Sequence, residues 1–142
     1  MEPADVGLIL DSSVVIAGER RGHTVRQILE QFRSDYGETE IGLSVVTIVE
    51  LIHGVQRAGT EERRQRRQAF VDELIRDVPV HPVTLEVARL AGRIEGDQAA
   101  HGVTIAFEDS LISATALQLG FGVVTGNVRH FEQIPGLKVV RS

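Results

Sequence analysis

Val6-Gly7-Leu8-Ile9-Leu10-Asp11-Ser12-Ser13 is an apolar run that ends on a carboxylate and two hydroxyls. Apolar residues without alternation describe a strand buried on both faces, as in the middle of a parallel sheet. Open α/β sheets bind their ligands in the crevice beyond the carboxyl ends of such strands. Asp11 stands at that end. A helix N-cap or a turn residue is the plainer account of the same acid, because Asp and Ser both favour helix starts.

Outward from this run, strands and helices alternate. Residues 6–11 are the first expected strand. Residues 23–34 carry Val25, Ile28, Leu29 and Phe32 at helical spacing. Residues 41–44 form a short second strand. A helix follows over about 45–57, with Val45, Val49 and Ile52 on its repeat. Thr60 before Glu61 and Glu62 is an N-cap with acids in the first turn. That helix runs to about Asp77, with Phe70, Val71, Leu74 and Ile75 inward. Residues 78–80 are a third strand. Thr84 opens a helix whose apolar face is Val87, Leu90, Ala91 and Ile94. Residues 108–119 form another, with Leu111, Ile112, Ala116 and Leu119 inward, stopped by Gly120. Strands follow at 122–125 and 137–140. This order predicts a three-layer α/β/α sandwich around a mainly parallel five-stranded sheet.

The bulk numbers agree with one domain spanning residues 1–142. A chain of 142 residues is long enough to bury roughly 70% of its unfolded surface. It is 42% hydrophobic and 25% charged, which argues against disorder. The net charge of −5 gives no global attraction to nucleic acid or to an anionic membrane. A nucleic-acid contact therefore needs a local basic patch or a metal. The absence of cysteine excludes disulfides and thiolate metal sites. Met1 to Asp5 lacks the start of a signal peptide, and no run approaches the roughly 18 apolar residues of a membrane span. A cytosolic location is the expectation.

Four residues sit where such a fold places its chemistry: Asp11, Glu50, Asp109 and Asn127. Each has an ordinary alternative. Glu50 reads as an exposed helical glutamate, yet it shares a stripe with Val46 and Val49 that borders the core. Asp109 reads as a helix cap, and Asn127 as a turn residue. Taken together, all four fall at strand ends or in helical turns facing one edge. Two carboxylates about 4 Å apart repel by roughly 4 kcal/mol at an effective dielectric near 20. Three in one crevice call for proton uptake or a cation. Oxygen ligands without cysteine favour Mg²⁺ or Mn²⁺ over Zn²⁺. Such a centre suits attack of water on a phosphodiester.

Other patterns carry less. Glu50-x-x-His53 is half of a di-iron motif without its second copy. There is no His-Glu-x-x-His, no P-loop and no Gly-x-Ser-x-Gly. The run Arg63-Arg64-x-Arg66-Arg67 spreads around a helix as a solvated face paired with Glu61 and Glu62 does, with a nucleic-acid or partner contact as the alternative. Arg20, Arg21, His23 and Arg26 lie closer to Asp11 and are better placed to meet a phosphate backbone. Five Phe and one Tyr offer little base stacking.

Four segments in this order resemble a PIN domain. They are Leu8-Ile9-Leu10-Asp11-Ser12-Ser13-Val14-Val15-Ile16, Leu43-Ser44-Val45-Val46-Thr47-Ile48-Val49-Glu50-Leu51 with Gly54, Phe107-Glu108-Asp109-Ser110-Leu111-Ile112-Ser113-Ala114, and Val123-Val124-Thr125-Gly126-Asn127-Val128-Arg129-His130-Phe131. More narrowly the chain is similar to the VapC toxins of prokaryotic type II toxin–antitoxin pairs. The resemblance implies a Mg²⁺- or Mn²⁺-dependent endoribonuclease. It carries the family's acidic positions to Asp11, Glu50 and Asp109. Its fourth position falls on Asn127, where many members have Asp. Ser12 or Thr125 would orient a carboxylate. It further implies a toxin homodimer and a VapB-like antitoxin. An antitoxin arginine would enter the acidic crevice, and its helix would lie in a groove between the helices at 23–34 and 45–57. A non-catalytic RNA- or protein-binding module and a related metal-dependent phosphoesterase are the competing classes.

Overall fold

A computed structural model describes residues 6–142, so the N-terminal residues read above for a signal peptide lie outside it. The sheet is five-stranded and parallel throughout, in the order β3-β2-β1-β4-β5. Its strands are β1 (Gly7–Leu10), β2 (Glu40–Ser44), β3 (Val80–His81), β4 (Gly122–Thr125) and β5 (Val139–Arg141). The helices are α1 (Ser12–Arg20), α2 (Val25–Tyr36), α3 (Val45–Gln56), α4 (Glu61–Asp77), α5 (Leu85–Ala100), α6 (Phe107–Leu119) and α7 (Val128–Phe131).

The first strand is apolar throughout because it is central. Alternate side chains enter opposite layers, as the pleat requires. Leu8, Leu10, Leu43 and Val124 join the core beneath α1 to α4. Ile9 and Val123 join the other core, with α5, α6, Phe121 and Phe131. Gly7 is required by close packing, since a Cβ there would stand 2.5 Å from the Phe121 ring. Thr24, Thr60 and Thr84 each cap a helix through the side-chain oxygen. Gly120 ends α6 in the left-handed region, at φ 72°. Among the described residues no helix is long and apolar enough to cross a membrane.

Several expectations change in detail. The sheet is wholly rather than mainly parallel. Residues 12–20 form α1, which the β-branched Val14-Val15-Ile16 disguised. The next helix occupies Val25–Tyr36 rather than 23–34, because Thr24 caps it with a full capping box to Gln27. Val78 belongs to the end of α4, its N–H donating to the Leu74 carbonyl, so β3 starts at Val80. β5 starts at Val139 rather than at 137. In α3 the inward row is Thr47, Leu51 and Val55, whereas Val49 is 68% exposed and Val45 is also exposed. The Ser44 hydroxyl accepts from the Val46 N–H, and β2 runs into the helix without a loop, which fixes the turn at which its faces point. Ile75 and Leu119, expected inward, are exposed as well.

Candidate functional site: an acidic crevice at the switch point

β2 and β4 lie on opposite sides of β1, so the connections leaving β1 and β4 part in opposite directions. A crevice opens at this reversal, where doubly wound sheets place their ligands. The Asp11 N–H continues the ladder by donating to the Val124 carbonyl at 2.9 Å. Asp11 thus stands at this reversal and is only 5% exposed.

Asp11 does occupy the N-cap position of α1, but its carboxylate caps nothing. Oδ2 instead accepts from Ser13 Oγ at 2.7 Å and from Thr125 Oγ1 at 2.8 Å. The same hydroxyls are held by backbone. Ser13 Oγ accepts from the Gly126 N–H at 3.0 Å, and Thr125 Oγ1 accepts from the Asn127 N–H at 2.9 Å. Thr125 is wholly buried. The corner of β1 is thereby locked to the corner of β4 across more than a hundred residues of chain.

Glu50 faces this corner from α3. Oε2 accepts from Ser12 Oγ at 3.3 Å, while Oε1 is buried without a hydrogen-bond partner. Burial raises the Glu50 pKa above the usual carboxylate range, and the Asp11 charge adds to the rise. The Ser12 hydrogen bond opposes it, and Glu108 and Asp109 contribute further repulsion. Glu50 thus borders the core as expected, but beside the Thr47–Leu51 row rather than along a Val49 stripe.

Asp109 enters from the first turn of α6, whose N-cap is Ala106, so it is not the cap of that helix. Burial, then the charge of Asp11, pushes its pKa up to about 6, with His130 pulling the other way and Glu108 adding to the rise. His130 Nδ1 lies 3.4 Å from Asp109 Oδ2. Asn127 is the exposed N-cap of α7 and makes no side-chain cap bond. Its backbone, not its amide, is tied to the site.

The structure therefore brings Asp11, Glu50 and Asp109 into electrostatic contact, with Ser12, Ser13 and Thr125 around them. Among the described residues, no three Asp, Glu or His side chains are gathered closely enough to hold an ion between them as they stand. Mutual repulsion and the anchoring of Asp11 Oδ2 oppose such closure. The donor chemistry nevertheless fits a divalent cation. Glu50 Oε1 has given up water for nothing, and a buried acceptor in that condition costs about 1–3 kcal/mol.

The basic residues divide. Arg20 lines a groove of about 440 Å³ that reaches Glu50 and includes His53, Arg57 and Arg67. Arg21 is the exposed C-cap of α1 and does not line it. Arg64 pairs with Glu61 on the solvent face of α4. The groove runs between α1, α3 and α4; the helix at Val25–Tyr36, expected as one wall, takes no part. Ser13, Arg57 and His130 were not singled out from sequence, and Arg67, read there within a basic run on a helix, lines the groove beside Glu50. The motif strings contained Ser13 and His130, but only the fold shows which atoms they meet.

An acid-lined switch point on a parallel sheet defines a class, and the PIN domain matches this chain over residues 8–137. Ribonuclease VapC1 of Rickettsia felis is 34% identical over 135 residues, covering 95% of this chain and 96% of the relative. The tRNA(fMet)-specific endonuclease VapC of Salmonella typhimurium is 30% identical over 107 residues, covering 75% and 79%. The crystal structure of DNA-bound VapBC from Salmonella typhimurium aligns with a TM-score of 0.80 at 26% identity, covering 96% of this chain and 98% of that one. The chain belongs to the PIN-domain family and, within it, to the VapC proteins.

Proposed function

We propose that this chain is a divalent-metal-dependent endoribonuclease that acts as the toxin of a VapBC-type pair, with residues 1–142 working as one PIN domain in the cytoplasm. The observation that carries it is the joint state of the three acids. Asp11 is buried and pinned, Glu50 has a buried oxygen without a partner, and burial and the Asp11 charge raise the Asp109 pKa to about 6. Carboxylates so arranged are poised for a cation.

Asp11, Asp109 and Glu50 would hold Mg²⁺ or Mn²⁺. A bound divalent ion supplies acidified water and charge for the phosphoryl oxygens. Ser13 and Thr125 fix Asp11 Oδ2 and so set the aim of Oδ1. Ser12 steadies Glu50, which either ligates or orients the attacking water. Asn127 offers an exposed amide at the crevice rim to position water or phosphate. Arg20 meets the backbone of the incoming RNA, with Arg21 outside the groove as a weaker contact. Attack by water rather than by the 2′-hydroxyl leaves a 5′-phosphate on the product.

The names of the relatives support RNA as substrate, and tRNA(fMet) belongs first in any panel. The VapBC complexes among the structural relatives support a VapB-like antitoxin as partner. A homodimer is proposed with it. The deciding experiment compares RNA, single-stranded DNA and a small phosphoester, with EDTA, Mg²⁺ or Mn²⁺. RNA cleavage that needs the ion supports the proposal. RNA binding without cleavage points to a non-catalytic module, and preference for the small ester to a phosphoesterase.

A further inference from the structure

We propose that His130 is a nitrogen ligand of the crevice cation beside Asp109, which biases the site from Mg²⁺ toward first-row transition ions such as Mn²⁺. This rests on the metal-dependent reading above and adds a residue that the acidic pattern does not contain.

The placement of His130 is built rather than accidental. α7 follows β4 after only Gly126 and Asn127, and its last residue, Phe131, is wholly buried. The His130 N–H donates to the Asn127 carbonyl at 3.0 Å. The backbone is thus anchored on both sides, and His130 lines a pocket together with Asp109. Its Nδ1 faces Asp109 Oδ2 at 3.4 Å, with the His130 side chain 59% exposed and that of Asp109 16% exposed. That separation is longer than a normal N–H···O hydrogen bond of about 2.7–3.2 Å. It is close to the spacing of neighbouring donors around one cation, which is about 3 Å when each lies about 2.1 Å from the ion. A cation can therefore enter between the two atoms with little movement of either.

The chemistry follows from the donor type. Carboxylates and water suit Mg²⁺ well. Imidazole adds a softer donor, which Mg²⁺ accepts reluctantly and transition ions accept readily. His130 also brings no charge when neutral, so it completes a ligand set without adding to the repulsion among Asp11, Glu50, Glu108 and Asp109. Among the described residues, those four and His130 are the titratable groups that act on Asp109 or Glu50.

The test uses the full chain loaded with Mn²⁺ at about pH 8, where imidazole is free to bind metal. Pulsed electron paramagnetic resonance should detect ¹⁴N coupling from one imidazole. His130→Ala and His130→Gln should both lose it, although His23, His53, His81 and His101 remain. Calorimetric titration should show Mn²⁺ affinity falling at least about tenfold in His130→Ala, with Mg²⁺ affinity changing less than about twofold. Circular dichroism checks that the exposed substitution leaves the fold intact. Absence of ¹⁴N coupling in the unaltered protein, its survival in both variants, or parallel changes for the two ions would overturn the assignment. Asp109→Asn separates the two levels. If it loses Mn²⁺ while no nitrogen coupling is ever seen, only the His130 ligand fails. If it keeps both Mn²⁺ and cleavage, the proposed acidic centre itself fails.

Discussion

Asp11 and Asp109 repel one another at the switch point but are held there in different states of preparation. On the β1–β4 wall, two hydroxyls donate to Asp11 Oδ2, and backbone N–H groups hold those hydroxyls. On the α3–α6 wall, Glu50 has an unpartnered buried oxygen, and Asp109 has an imidazole at 3.4 Å and a pKa near 6. One wall is finished by the protein. The other is left for something to arrive. Acids of like charge need not be held in like ways, and the unfinished wall is the one whose properties should respond to pH and to added ions.

The contrast should break most visibly in catalysis. Asp11→Asn and Asp109→Asn should each lower RNA cleavage by at least about 10²-fold, with unchanged circular dichroism. Cleavage at the unaltered rate in either purified variant removes that residue from the chemistry.

Stability should separate the walls next. Asp109 has a folded pKa near 6, raised from 3.8, so the folded state holds its proton more tightly than the unfolded state. The stabilisation is full below the unfolded pKa and is lost as pH rises through about 6. The loss amounts to at most about 3 kcal/mol, from about two pKa units at 1.36 kcal/mol each. The metal-free protein should therefore melt at lower temperature at neutral pH than near pH 4 as far as this group is concerned, and Asp109→Asn should flatten that part of the curve. Identical pH profiles of melting temperature for the two proteins would contradict the raised pKa.

Added Mn²⁺ should restore stability above the titration of Asp109 and do little below it, because only the ionised wall attracts the ion. Glu50→Gln should weaken this restoration and raise the Mn²⁺ concentration needed for half-maximal cleavage. Unchanged metal titration in that variant would make Glu50 a bystander.

The smallest effect concerns the groove. Arg20→Ala should reduce RNA affinity and flatten its dependence on salt by about one counterion, while Arg21→Ala and Arg64→Ala do less. Filter binding at several salt concentrations ranks them. If Arg21 or Arg64 outranks Arg20, the RNA does not follow the groove past Glu50.

The contrast also marks where sequence stops being informative. The central strand was legible because an unbroken apolar run has few other homes, and Thr60 and Thr84 mark helix starts by a chemistry local in sequence, whereas the Thr24 cap was passed over. Positions 11, 50 and 109 could be marked as candidates because acids beside apolar runs are unusual. What could not be read was which oxygen is satisfied. Ser13 meets Gly126, and Thr125 meets Asp11, only through pairing of strands far apart in the chain. α1 was missed because Val14-Val15-Ile16 favours extended backbone in isolation, while burial of Val14 and Val15 against the sheet selects the helix. Val49 misled for the opposite reason. It keeps the helical repeat, but the direct passage from β2 into α3 turns it to solvent.

The pairing of β1 with β4 has a consequence in time. A growing chain that has emitted β1 can add β2 and β3, but it has no Thr125 to hold Asp11 until Gly122–Thr125 has left the ribosome. At about 5–20 residues per second, the intervening chain takes on the order of ten seconds to make. Asp11 lacks its Thr125 hydrogen bond throughout that interval. On the proposed reading as a ribonuclease, a chain that still lacks β4 has no pinned Asp11 with which to act on RNA.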